Sequence, residues 1–409
     1  MNLLLVDSVD FPFGGAHSAH VILFMKGLKE NGANAFFIIP YGRKREALAS
    51  GEKKYGHFDG IPFYFVRESK TIKKGFRFID NFIGVIKTAC IIYRRRKKGK
   101  ADAVILGGIV DIIRDAPVII TCAVFRIPVY FWLVERASLN QDYKGINGYF
   151  NYKSQQLTER FLPKLASGLI VISTRLKEYY LKRLPENKIL INPILVSDTV
   201  PVGINQQAFE IVKQKIQAAY KDKRLLVYSG SFGEKDGLYN LIEAFSRVLK
   251  QYPNTVFIMT GKGESETVRN NLKNCIKENK VEDKIHLVGF VNSEELLCYN
   301  TLADILFVCR SNSPYANHGF PWKLGEYCMT GKPVIATRVG DMDRYFSDKE
   351  DIFIVEPNNP EAIAETVSFI FNDYEKALSI AQKCKETALK KFGYVEKMKE
   401  VLDFVSAAK

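Results

Sequence analysis

Lys323 and Glu326 stand three residues apart in the stretch Phe320-Pro321-Trp322-Lys323-Leu324-Gly325-Glu326-Tyr327-Cys328-Met329-Thr330-Gly331-Lys332-Pro333-Val334. Pro321 suits the first position of a helix, where its missing N–H costs nothing. Leu324, Tyr327 and Cys328 recur at i, i+3 and i+4, the spacing of one helix face. Gly331 suits the left-handed position just past a helix end, and Lys332-Pro333 closes the turn. The spacing therefore predicts a short helix with Lys323 and Glu326 on one face near its start, followed by a buried strand over residues 334–336. The start of a helix attracts anions through its free N–H groups and its dipole, so a lysine there suits a phosphate. A carboxylate one turn later suits paired sugar hydroxyls, because an ionised carboxylate only accepts hydrogen bonds. An ordinary capped helix with an exposed ion pair is the other reading of the same residues.

Further candidates lie in loops that follow short apolar runs. Residues 3–6 read as a strand, and the loop after them carries Gly14, Gly15 and His17. Those glycines allow a tight turn and close ligand approach. The pattern is not Gly-x-Gly-x-x-Gly, so the dinucleotide fingerprint is absent. Residues 129–134 read as a strand ending at Glu135, at the edge where α/β sheets bind ligands. The strand at 224–230 runs into Gly230, Ser231 and Lys235, and the strand at 255–259 runs into Gly261 and Gly263. The polar loop at 310–319 holds Asn312, Asn317 and His318, next to Gly319 and Phe320. Each of these loops also reads as a plain strand-to-helix turn. Asp341-Met342-Asp343 reads as structural, and nothing in the sequence makes a convincing metal cluster.

These loops need two α/β layers to hold them. A chain of 409 residues, 47% hydrophobic and 25% charged, is long enough for two or three globular domains. Strand and helix patterns alternate over residues 1–195 and restart at 223, which predicts parallel sheets. The expected division is an N-terminal domain at 1–195, a linker at 196–222, a C-terminal domain at 223–390, and a last helix at 391–409. Seven scattered cysteines without a Cys-x-x-Cys read as free thiols in a reducing compartment. The start lacks a basic n-region and the apolar zone at 116–134 is interrupted by Pro117, Arg126 and Pro128, so neither a signal peptide nor a membrane span is expected. Charge is uneven. Residues 1–200 carry 31 Lys and Arg against 17 Asp and Glu, while residues 201–409 carry 28 against 28. The excess points to an anionic surface or partner for the first half. The apolar helix expected over 76–93 runs into the basic residues 94–100, which suits either an anionic membrane or a solvated helix end. No nucleic-acid-binding module appears.

From Pro321 to Val334 the chain resembles the nucleotide-sugar segment of retaining family-4 glycosyltransferases, which read Pro-x-Lys-x-x-Glu-Tyr-x-x-x-Gly-x-Pro-Val. The resemblance extends along most of the chain, more specifically over residues 225–340. It departs from the family at His318, where the family has Glu, and at Ser231, where Arg is common. The resemblance implies the α/β GT-B fold, with two Rossmann-like domains facing a cleft. It implies that Glu326 binds the donor ribose and that Lys235 and Lys323 act on the diphosphate. Gly14, Gly15, Gly230, Ser231, Gly261, Gly263, His318, Gly319, Phe320 and Leu324 would complete the donor site. His17 and Glu135 would face the acceptor or the reacting sugar. No metal or other cofactor is implied beyond the nucleotide-sugar co-substrate.

The resulting expectation is a hexosyl-type transfer with retention, from a nucleotide sugar to a glycan or lipid-linked acceptor, in surface polysaccharide or glycolipid assembly. The expected location is cytoplasmic, with peripheral contact to the inner face of the membrane. A sugar-nucleotide epimerase of the same fold and a non-catalytic nucleotide-sugar-binding or membrane-associated subunit stand as alternatives.

Overall fold

The computed structural model describes residues 1–12, 15–41, 55–67, 77–140, 145–199, 203–261, 263 and 265–407. They form two units. The first comprises Met1–Leu195, His318–Phe320 and Phe392–Lys409, and the second Val196–Asn317 and Pro321–Lys391.

Apolar runs make the first sheet. Its strands are β1 (Asn2–Val6), β2 (Asn34–Ile39), β3 (Tyr55–Phe58), β4 (Ile61–Phe65), β5 (Ala103–Leu106), β6 (Val129–Leu133), β7 (Gly168–Val171) and β8 (Ile189–Ile191). They lie in the order β3-β4-β2-β1-β5-β6-β7-β8, and every pair is parallel except β3–β4. Strands covered on both faces need continuous apolar sequence, which Leu3-Leu4-Leu5-Val6 and Val129-Tyr130-Phe131-Trp132-Leu133 supply. The helices α1 (Ala16–Glu30), α2 (Arg77–Lys97), α3 (Ala116–Val124), α4 (Gly145–Leu165) and α5 (Thr174–Leu181) connect them. Ser173 caps α5, its Oγ accepting from the Leu176 N–H at 3.2 Å. Phe11, Phe24, Phe37, Phe63 and Trp132 fill the core, each burial stabilising by roughly 1.5–3 kcal/mol.

The second unit opens with α6 (Gln206–Ala219), then β9 (Arg224–Ser229), α7 (Leu238–Gln251), β10 (Thr255–Thr260), α8 (Glu266–Glu278), β11 (Ile285–Gly289), α9 (Ser293–Leu302), β12 (Ile305–Val308), α10 (Pro314–His318), α11 (Trp322–Met329), β13 (Val334–Thr337), α12 (Met342–Tyr345), β14 (Phe353–Val355), α13 (Pro360–Asn372) and α14 (Tyr374–Phe392). Its six strands are all parallel, in the order β11-β10-β9-β12-β13-β14. The last helix, α15 (Tyr394–Ala407), belongs to the first unit. There Gly27 of α1 makes room for it, since a Cβ at Gly27 would fall 2.5 Å from Met398 Cγ.

Three local expectations change. Residues 206–219 are not linker but the amphipathic helix α6, capped by Asn205 and packed on α9. Pro321 sits one place earlier than expected, as the extended N-cap (φ −77, ψ 112) with Trp322 first in the helix. The edge strand β3 has no counterpart in the sequence reading; Tyr55-Gly56-His57-Phe58 is too short and too polar to signal one.

Candidate functional site

Open α/β sheets bind ligands beyond the carboxyl ends of their strands, where the strand order reverses. In the second sheet that point lies between β9 and β12, which are neighbours although three strand and helix crossings separate them in sequence. β9 ends at Ser229-Gly230 and β12 at Val308-Cys309-Arg310, and α11 is anchored against the same ends. The Ser229 N–H donates to the Tyr327 hydroxyl at 2.8 Å, which fixes the helix to the strand. Gly331 follows the Thr330 C-cap with φ +66, the left-handed turn foreseen at the helix end.

This anchoring gathers charge. Lys323 Nζ donates to the Tyr228 hydroxyl at 3.0 Å and to Asp236 Oδ1 at 3.3 Å, and it lies 4.1 Å from the Tyr228 ring centroid. The partner of Lys323 is thus Asp236 in the loop after β9, and not Glu326 on its own helix. Asp236 is buried. Its Oδ2 accepts from the Ser231 hydroxyl and the Gly233 N–H, both at 3.1 Å. Burial alone would raise its carboxyl, but Lys323, Lys235, Tyr228 and Arg310 outweigh that and hold it below the usual range. Burial lowers the Lys323 ammonium despite Asp236, with Arg310 and Lys235 adding repulsion. Three cations therefore surround one carboxylate.

The loops are shaped for close approach. A Cβ at Gly230 would lie 2.6 Å from Lys323 Nζ, and one at Gly261 would lie 1.8 Å from the Gly230 carbonyl oxygen. Gly261, at φ +134, could not carry a side chain without strain in any case. The Gly263 carbonyl accepts from the Arg269 guanidinium at 2.9 Å, so it braces this turn. Leu324 is buried beneath α11 and acts in packing. Glu326 is only partly covered, yet burial lifts its carboxyl to about 7 and Lys323 lowers it only in part. It has no hydrogen-bond partner among the described residues, so its oxygens are available to a ligand. Lys235 Nζ sits 4.8 Å from the Tyr315 ring centroid.

In the first sheet the order reverses between β1 and β5. There His17 Nε2 is 2.8 Å from the buried Asp7 Oδ2. Burial lowers the His17 imidazole, but Asp7 and Glu135 together raise it, so the structure brings His17 and Glu135 into one electrostatic cluster. Gly15 opens α1 with φ 87. Gly14 lies outside the described residues.

His318, Gly319 and Phe320 group with the first unit, where the Ser173 hydroxyl donates to the His318 carbonyl at 2.6 Å. The structure thus assembles Gly230, Ser231, Gly261, Gly263, Lys235, Lys323, Leu324 and Glu326 in the second unit, and His17 with Glu135 in the first. Sequence reasoning overlooked Asp236, Tyr228, Arg310 and Asp7. Asp236 did leave a signal, an acid immediately before the turn glycine Gly237, whose φ is +61. Asp341 begins the short helix α12 and Asp343 pairs with Arg338, so that Asp-x-Asp serves the fold.

Residues 210–388 match the family model of the glycosyl transferases group 1. The matched stretch lies almost wholly within the second unit. An uncharacterized glycosyltransferase of Methanocaldococcus jannaschii is 23% identical over 250 residues, 59% of this chain and 60% of the relative. The alpha-monoglucosyldiacylglycerol synthase of Acholeplasma laidlawii is 27% identical over 173 residues, 38% of this chain and 42% of the relative. The matched stretches thus span about half the length of these relatives. Among solved structures, Anabaena HepE in complex with UDP and glucose superposes with TM-score 0.72 at 15% identity over 100% of both chains. Sucrose-phosphate synthase from Thermosynechococcus elongatus does so with TM-score 0.70 at 15% identity, again over 100% of both. The glycosyltransferase architecture of two parallel-sheet domains, GT-B, is the fold of this chain.

Proposed function

We propose that the protein is a retaining glycosyltransferase that moves a sugar from a nucleotide-sugar donor to an acceptor hydroxyl. The observation that carries this reading is the set of Lys235, Arg310 and Lys323 around Asp236 at the β9–β12 ends of a glycosyl transferases group 1 unit. Breaking a glycosyl–phosphate bond leaves negative charge on a diphosphate and positive character on the sugar. Preorganised cations at the leaving group lower that barrier without reorganising in the transition state. One carboxylate holds the cluster together while leaving it net positive, which suits a dianionic ligand. Glu326, half-open and without a hydrogen-bond partner among the described residues, accepts the ribose hydroxyls. HepE, whose fold this chain shares, is solved with UDP-glucose, which favours a nucleotide sugar as the donor class. With three cations on the diphosphate, no divalent metal is required.

The acceptor is read as a glycan or lipid-linked alcohol, handled from the cytoplasmic side during surface polysaccharide or glycolipid assembly. The basic excess of the first half and the glycolipid-forming relative support that reading. His17 and Glu135 face this substrate. Peripheral contact with the membrane goes with it; no described helix is long and apolar enough to cross a bilayer.

A thermal-shift screen of UDP-, GDP- and ADP-sugars tests the donor, because a ligand that binds only the folded state raises its stability. NMR of the product anomer then tests retention. An inverted product overturns the stereochemical reading, and epimerised donor without transfer overturns the transferase reading.

A further inference from the structure

We propose that the outer face of α4 is the surface by which the protein docks on an anionic lipid bilayer; this deepens the membrane-side reading above and rests on it. Phe150, Leu157 and Phe161 are 65%, 43% and 38% exposed. At about 100° per residue they fall within about 40° of one another, on one stripe of the helix. Lys153, Arg160 and Lys164 lie together along one flank of that stripe, all exposed. None of the three has an acidic partner among the described residues. The only acid in α4 is Glu159, and it points inward: it is buried and held by Arg136 at 2.9 Å, the Ser138 N–H at 3.0 Å and the Tyr179 hydroxyl at 3.1 Å.

The segment beside α4 also exposes apolar side chains. Ser154 donates to Asp111 at 2.6 Å, and the Ile112 N–H donates to Thr158 at 2.9 Å. These bonds seat α4 beside the segment that exposes Ile109 and Ile113 and leads into α3, where Ile120 and Val124 are exposed in turn. Exposed apolar side chains gathered on one stripe, as Phe150, Leu157 and Phe161 are, mark an interaction site. The chemistry selects the partner. Protein interfaces are depleted in lysine. A helix with Phe and Leu on its outer stripe and Lys and Arg beside them instead lies in the boundary of an anionic bilayer, its rings in the acyl region and its cations among the headgroups.

The basic run at the end of α2, the candidate from the sequence, is partly spent inside the fold. The Arg95 guanidinium lies 3.3 Å from the Phe36 ring centroid, Arg96 donates to the Ala101 carbonyl at 3.2 Å, and Lys97 lies 4.8 Å from the Tyr93 ring centroid. We therefore place the docking surface on α4 rather than on that run.

Co-sedimentation of the full chain with phosphatidylglycerol-containing vesicles and with pure phosphatidylcholine vesicles, at low and high salt, tests this. The parent is expected on the anionic vesicles at low salt. Phe150→Ser/Leu157→Ser/Phe161→Ser and, separately, Lys153→Glu/Arg160→Glu/Lys164→Glu are expected to lower partitioning at least tenfold, while Arg94→Gln/Arg95→Gln/Arg96→Gln changes it less than twofold. All six α4 positions face outward, so folding is retained, as melting temperature and the UDP-induced thermal shift will show. No vesicle binding by the parent, binding by both α4 variants equal to the parent's, or loss with the α2 variant alone overturns the proposal. So does a parent dimer that the serine variant dissociates, which would assign the face to a second copy. Vesicle binding through α4 in a protein without donor binding would sink the transferase reading and leave this surface standing.

Discussion

Lys323 and Asp236 are 87 residues apart in sequence and 3.3 Å apart in space, joined beneath the Tyr228 ring. The pair is buried but not neutral in its surroundings, because Lys235 and Arg310 act on the same carboxylate. Removing the anion leaves three cations facing one another. Asp236→Asn is expected to destabilise the apo protein by about 3 kcal/mol, as breaking a buried ion pair does. A bound diphosphate restores the lost negative charge, so UDP should raise the melting temperature of the variant more than that of the parent. An equal UDP shift in both proteins would refute the electrostatic role given to this cluster. The folded-state carboxyl is held low, so the stability it adds is full above the ordinary Asp value of about 4 and is lost as pH falls through the folded value.

Lys323→Ala and Lys235→Ala are expected to lower turnover, since the Lys323 ammonium is held by Tyr228 and Asp236 and Lys235 acts on the same carboxylate. Loss of one charge-assisted contact of roughly 1.5–3 kcal/mol corresponds to a tenfold to hundredfold fall in rate. Chelator should leave the parent active. Activity abolished by chelator and restored by magnesium or manganese would mean that these cations do not carry the leaving group alone.

Glu326 ties ligand binding to pH. Its carboxyl is raised to about 7, from an ordinary value near 4.3. The apo protein therefore keeps its full stability from this group below the ordinary value and loses it as pH rises through about 7. Glu326→Gln should melt higher than the parent at pH 8, with the difference fading toward pH 4. Donor binding behaves oppositely, because ribose hydroxyls donate to the ionised form. Donor affinity of the parent should rise between pH 6 and 8, and Glu326→Ala should cost roughly 1.5–3 kcal/mol of it. Calorimetry showing pH-independent affinity, or no loss in the alanine variant, would remove Glu326 from the ribose.

Local chemistry explains which parts were readable in advance. The helix at Lys323 was visible because its stop, Gly331-Lys332-Pro333, and its buried face, Leu324-Tyr327-Cys328, are written within a dozen residues. The strands were visible as apolar runs. Spacing along one helix, however, pairs Lys323 with Glu326, whereas the sheet order pairs it with Asp236, and only β9 lying beside β12 makes that contact. Arg310 and Tyr228 join the cluster by the same adjacency. Residues 206–219 read as linker because polar residues and charge dilute a narrow apolar stripe that needs α9 as its partner. The Arg94–Lys97 run read as either a solvated or a membrane-facing helix end, since the contact of Arg95 with Phe36 comes from a strand distant in sequence.

Asp7 and His17 form the second charged pair, at the β1–β5 switch of the first unit. Asp7 Oδ2 lies 2.8 Å from His17 Nε2. Two glycines leave room for it: a Cβ at Gly107 would fall 2.7 Å from Asp7 Oδ2, and one at Gly108, where φ is +73, would fall 2.8 Å from Oδ1. Burial works against the imidazolium, and Asp7 with Glu135 overcomes it, so His17 is raised above its ordinary 6.5. The stabilisation from this pair is complete below 6.5 and is lost as pH rises through the folded value. A histidine oriented by a carboxylate can hold or accept a proton from an acceptor hydroxyl, and Asp7 acts on it by position and charge. In Asp7→Asn the burial effect is no longer offset, so the His17 ring should titrate lower by NMR. The acid limb of the transfer-rate profile should shift with it, and kcat/KM for the acceptor should fall about tenfold, or about 1.4 kcal/mol. His17→Gln should remove that limb. A parent profile without such a limb, or an Asp7→Asn variant that loses stability while its His17 titration and acceptor kinetics stay unmoved, would reduce the pair to a structural bond between β1 and α1.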